Sequence, residues 1–221
     1  MSNSKKVHLI NMAIGYMPIG LAFLLPIFFL PITVEFFEFN KFALITVVSI
    51  VLMVLWAAKI VLTKKVIIAK SKLDLALGIF TLTRIPSLFA FLSFFVFYYI
   101  TASNGKMKAI KLFSPLYIVG ATISTLLSTL AYYNLYLGDT PYFRLQNFSL
   151  SGSSLSSAVV AASAVVMSVI MVMKSKSFPA RSAYTLAALF NLYFVLLMKD
   201  VNIYALLLVG LAAVPFFINL D

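Results

Sequence analysis

The sequence predicts an all-α polytopic membrane protein, a transmembrane helix bundle of six full spans plus one broken or re-entrant segment. Three observations carry this expectation. Of 221 residues, 63% are hydrophobic and 10% charged, against roughly 45–50% and about 25% in soluble globular domains. The mean hydropathy of +1.07 leaves too few polar side chains to cover a water-facing surface, so the bilayer is the solvent for most of them. Finally, apolar segments recur from end to end, each near the roughly 20 residues that a helical crossing needs. Residues 1–221 are accordingly read as a single integral membrane domain.

The first segment, Leu9 to Thr33, follows Lys5 and Lys6 and contains Pro18, Pro26 and Pro31. It is too long for a signal-peptide core and lacks a small-residue cleavage pattern, so it reads as an uncleaved span. Its prolines predict a kinked or partly unwound helix. The second, Phe42 to Thr63, ends with Trp56 and Lys59, residue types suited to the headgroup region. In the third, Leu75 to Ile100, Arg84-Ile85-Pro86 interrupts the apolar run. That length fits one tilted helix or a re-entrant hairpin but not two crossings.

In the fourth segment, Leu112 to Leu137, Gly120, Ser124 and Ser128 recur every four residues. They form a small-residue stripe that lets another helix come close, with Ser157, Ala161 and Ala164 of the fifth segment as the expected partner surface. Tyr132, Tyr133 and Tyr136 follow as an interfacial belt. A serine-rich stretch, Ser149 to Ser157, leads into the fifth segment, Ala158 to Met173, and is expected to supply its N-cap. The sixth, Ser182 to Met198, and the seventh, Val201 to Ile218, are separated by Lys199-Asp200 alone, which implies a tight antiparallel hairpin.

Charge sets the expected topology. With the third segment dipping in and returning, 13 basic residues lie on the cytoplasmic side and three, Lys41, Arg144 and Lys199, outside. Arg84 stays within the membrane segment. A full crossing there would leave nine inside and seven outside, a poorer fit to the positive-inside rule. Both termini are therefore expected in the cytoplasm, in a cytoplasmic (inner) membrane. The formal net charge of +11 finds its partner in anionic lipid at that face, and nothing requires nucleic acid.

Composition also excludes much chemistry. There is no cysteine and one histidine, His8, so disulfides, zinc sites and Cys/His or Ser/His/Asp nucleophiles are not expected, and neither a metal nor a cofactor is predicted. Glu35, Glu38, Asp74, Asp139, Asp200 and Asp221 all fall in loops or at the end of the chain, which argues against an ion-coupled pump. Glu35 and Glu38 read as a solvated turn. Arg84 either faces a cavity or phosphate or caps the break at Pro86. Arg144, flanked by Tyr142 and Phe143, is either a phosphate or sugar contact or a solvated loop charge.

Two stretches, PIFFLPITVEFFEFNKFALITVVSIVLMVLWAAKIVLTKKVIIAKSKLDL (Pro26 to Leu75) and FRLQNFSLSGSSLSSA (Phe143 to Ala158), resemble O-antigen ligase/polymerase-like bacterial membrane proteins. The resemblance covers a third of the chain and implies the N-terminal part of a larger fold of about a dozen spans. Such proteins transfer glycans from a polyprenyl-diphosphate carrier without a metal, using Arg and His residues in a large external loop of their second half. The resemblance makes a polyprenyl-diphosphate-linked glycan the expected partner, with Arg144 and Arg84 as the substrate-binding candidates. It implies no catalytic residue here, and a chain inactive by itself. The rival expectation is a non-enzymatic component, either small and permease-like or a scaffold that assembles with a further membrane subunit.

Overall fold

In the computed structural model the described residues are 3–29, 38–66, 99–101, 103, 107–135, 144 and 148–218, and they are all-α. Six helices account for most of them: α1 (Asn3–Ile27), α2 (Glu38–Thr63), α3 (Met107–Tyr132), α4 (Ser154–Lys174), α5 (Phe178–Met198) and α6 (Val201–Ile218). The first five are long and apolar enough to cross a membrane, whereas the apolar part of α6 is shorter. The chain is thus a multi-pass helical membrane protein, with five long candidate spans among the described residues where six were expected. The break at Arg84-Ile85-Pro86 lies outside the described residues, and with it the question of crossing or re-entry.

Proline chemistry behaves differently at the two ends of the chain. Of the expected kinked or partly unwound first span, the unwinding is not found: α1 is helical without interruption through Pro18 and Pro26 and ends one residue after Pro26. Pro18 is fully buried, so packing around the ring offsets the lost backbone donor, which tertiary context can do in membrane helices. At the other end, α5 starts four residues before the expected Ser182 because Pro179 sits in the first turn, where its missing N–H would have been unpaired anyway.

The polypeptide divides into two compact units, residues 1–21 with 39–113 and residues 22–38 with 114–221. In the first, Ile14 of α1, Leu52 of α2 and Ile100 form a buried cluster, flanked by Ile10, Val48, Leu55 and Trp56. Trp56, expected at the headgroups, therefore contributes to packing. In the second unit α4 packs against both α5 and α6, around Ala158, Ala161, Val165, Phe194, Val195 and Ile203. The alanines keep α4 slim, and burial of Phe194 and Val195 fills the space they leave. A smaller cluster joins Ala131 of α3 to Phe148 and Leu150, with Ile27 and Phe29 beside them.

The loop chemistry follows from a few side chains. Ser153 has extended backbone angles and its hydroxyl accepts from the Ser156 N–H at 3.0 Å, so the serine run supplies the N-cap of α4. Lys199 ends α5 in the left-handed region, φ 51°. The Asp200 carboxylate accepts from the N–H groups of Asn202 and Ile203 at 2.8 and 3.2 Å, capping α6. The Tyr204 hydroxyl donates to the Leu196 carbonyl at 3.1 Å and closes the hairpin.

Candidate functional site

The polar groups of the second unit converge on one face of α3, because Gly120, Ser124 and Ser128 recur at the spacing of one helical turn. All three are buried, together with Ala121, Thr125 and Thr129. Each member of the stripe meets a different neighbour. A Cβ at Gly120 would collide with the Phe23 carbonyl oxygen, so the backbone of α1 comes close to α3 at this glycine. Ser124 is 3.2 Å from the Ser151 hydroxyl in the loop before α4. Ser128 pairs with Ser157 of α4 at 3.0 Å and donates to the Ser124 carbonyl at 3.0 Å. Ala161 and Ala164, expected opposite the stripe, are fully buried.

Two hydrogen-bonded groups grow from this face. In one, Ser149 bonds to Ser157, which is also bonded to Ser128, and the Ser149 hydroxyl accepts from the Ser151 N–H at 3.0 Å. In the other, Asn191 of α5 is fully buried. Its carbonyl oxygen accepts from Thr125 at 2.9 Å, while its amide nitrogen donates to the Thr122 hydroxyl at 2.9 Å and the Ala187 carbonyl at 2.8 Å. With both donors and the acceptor engaged, Asn191 is satisfied internally. The spacing of the α3 serines signalled the first group. Asn191 stands alone in an apolar helix, and its role was missed because no pattern in α5 points to it. An isolated amide in a transmembrane segment was the available signal, since such groups bond across helices.

A hydroxyl group without a neighbouring base is a poor nucleophile, and these serines and threonines are hydrogen-bonded to one another and to backbone carbonyls. Among the described residues no group of three or more His, Asp or Glu side chains could hold a metal ion. The arrangement binds helices together: hydroxyl and amide pairs buried in lipid-embedded interfaces contribute about 0.6–2 kcal/mol each.

Of the two arginines expected at a phosphate, Arg144 is exposed in a turn and Arg84 lies outside the described residues, as do Glu35, Asp74, Asp139 and Asp221. His8 is exposed on α1. Near the ends of α3 and α5, the hydroxyls of Tyr133 and Tyr193 are hydrogen-bonded, and Tyr132 packs edge-on against Tyr133. The hydrogen bond to Tyr193 pushes the Tyr133 phenol above its ordinary range, with desolvation and the neighbouring phenols adding to it.

Comparison with protein-family models, curated proteins and solved structures gives no match. The resemblance to O-antigen ligases therefore rests on its two stretches alone, and no family is assigned.

Proposed function

We propose that the chain is a non-enzymatic component of a bacterial cytoplasmic membrane, a helical scaffold that works together with a further membrane subunit. The observation that supports this reading is the state of six buried polar residues around α3 in the second unit. Asn191, Thr125, Ser124, Ser128, Ser149 and Ser157 are buried and bonded within the protein, which is the use such groups have as glue between helices. The proposed topology has six crossings, both termini in the cytoplasm, and anionic lipid against the basic inner loops.

A second reading is favoured by one observation, the exposure of Arg144 in the turn ahead of Phe148. Here the chain corresponds to the N-terminal part of an O-antigen ligase/polymerase-like domain and holds a polyprenyl-diphosphate-linked glycan, with Arg144 and Arg84 at the diphosphate, where a guanidinium makes bidentate contact. In this reading too the chain does not transfer glycan by itself, because transfer needs groups that activate the acceptor and stabilise the departing charge. The test is to purify the chain alone and assay transfer from a lipid-linked donor, with Arg144→Ala and Arg84→Ala as controls. Neither donor binding nor turnover is expected of a scaffold. Binding without turnover, lost in either variant, selects the second reading, and turnover by the isolated chain overturns both.

A further inference from the structure

We infer that the trough between α4 and α6 is a binding site for one acyl chain of an anionic phospholipid, with the lipid phosphate at Lys174. The trough is a cavity of about 480 Å³, lined along α4 from Ala162 to Lys174, by Ser114 of α3, and by Leu206 and Gly210 of α6. Its dimensions select the ligand. Twelve residues of α4 separate its ends, about 18 Å at 1.5 Å per residue, which is close to one leaflet of a hydrocarbon core about 30 Å thick. The wall is apolar over most of that length and includes Met167, whose unbranched side chain adapts to a flexible chain.

Charge makes the occupant anionic. Lys174 lines the end of the trough and is exposed, Lys176 and Arg181 are exposed in the stretch that follows it, and the connection from Lys174 to Arg181 contains no carboxylate. Arg181 is held there, its Nε donating to the Val172 carbonyl at 3.3 Å. The carboxyl end of a helix by itself repels anions, and three cations reverse that local field. A phosphate carried on an acyl chain satisfies both halves of the site at once: the chain fills the trough and the headgroup meets the lysines. The assignment of this lipid to the cytoplasmic leaflet rests on the topology proposed above, whereas the site itself does not.

Native mass spectrometry of the full chain in detergent tests the inference, using phosphatidylglycerol and phosphatidylcholine with matched acyl chains. The wild type is expected to retain phosphatidylglycerol preferentially, and free glycerol phosphate is expected not to displace it. Replacing both Lys174 and Lys176 by Gln should lower that retention about tenfold, as juxtamembrane lysines contribute substantially to anionic-lipid binding, while Lys174→Arg preserves it. Met167→Trp, with its melting temperature checked, should reduce retention of both lipids by filling the trough. Equal retention of the two lipids by the wild type, insensitivity to the double Gln change, undiminished binding in folded Met167→Trp, or displacement by glycerol phosphate would each overturn the proposal. Detergent-phase binding is independent of orientation, so a failed topology and a failed site give different results.

Discussion

Three glycines show how closely single positions are constrained. At Gly120 an added methyl group collides with the Phe23 carbonyl, a backbone atom that cannot rotate away. At Gly210 it would lie 2.7 Å from Val166 Cγ2, a methyl on a stiff β-branched side chain. Nothing lies within 4 Å of the corresponding position at Gly20. Overpacking costs about 1–3 kcal/mol, and removing glycine from a helix interior returns roughly 0.5–1 kcal/mol. Gly120→Ala is therefore expected to lower the melting temperature in detergent, with Gly120→Leu worse, while Gly20→Ala leaves it unchanged or raises it. Melting followed by circular dichroism checks the order, and a Gly120→Leu protein as stable as wild type would show that α1 and α3 do not approach at this point.

At the scale of elements, α3 and α5 are joined through Asn191, which bridges Thr125 and Thr122. Asn191→Ala removes an amide whose three hydrogen bonds all lie within the protein, and leaves Thr125 still bonded to the Ala121 carbonyl at 2.8 Å. Because that threonine keeps a partner, the expected loss is about 1–2 kcal/mol rather than the larger penalty of an orphaned group. A double-mutant cycle with Thr125→Val measures the coupling, and strictly additive losses would mean the bridge contributes nothing. Elements were legible in the sequence to different degrees. Hydropathy located α1 to α6, and the serine run announced the cap at Ser153, because both depend on local composition. Helix ends were less legible: α3 starts at Met107 rather than Leu112 and ends at Tyr132 rather than Leu137, since Lys108 and Lys111 are accommodated in its first turns. The partners of Gly120, Ser124 and Ser128 were hardest to foresee, because a stripe states that something comes close and leaves the neighbour to the tertiary fold.

For the whole molecule the central quantity is the distribution of basic residues. Position 108, in the first turn of α3, and position 176, in the connection between α4 and α5, are expected on the cytoplasmic side only if the segment from Leu75 to Ile100 returns to the side it entered. Cysteines introduced singly at Lys108 and Lys176, in a chain that has none of its own, are expected to react with a membrane-impermeant thiol reagent only after the membrane is opened. Labelling of either from outside intact cells would reverse that part of the topology. The candidate site was legible at this scale only in outline: the absence of cysteine was plain at once, but the polar groups that matter are neutral serines, threonines and one asparagine, and neutral groups leave little trace in a charge count.

The short final helix has a consequence for the membrane around it. Over its 18 described residues, with Pro215 inside the last turns, α6 is about 27 Å long, against a hydrocarbon core of about 30 Å. Its start is tied to the end of α5 by the two-residue link Lys199-Asp200 and by the Tyr204 hydroxyl on the Leu196 carbonyl, so it cannot slide independently of α5 to centre itself. For α6 to cross, the shortfall is met by local thinning of the bilayer, by flanking side chains that reach to the interface or by association with other helices, at a fraction of a kcal/mol for each ångström of mismatch. The hairpin is then expected to be easiest to accommodate where acyl chains are short and progressively strained as they lengthen.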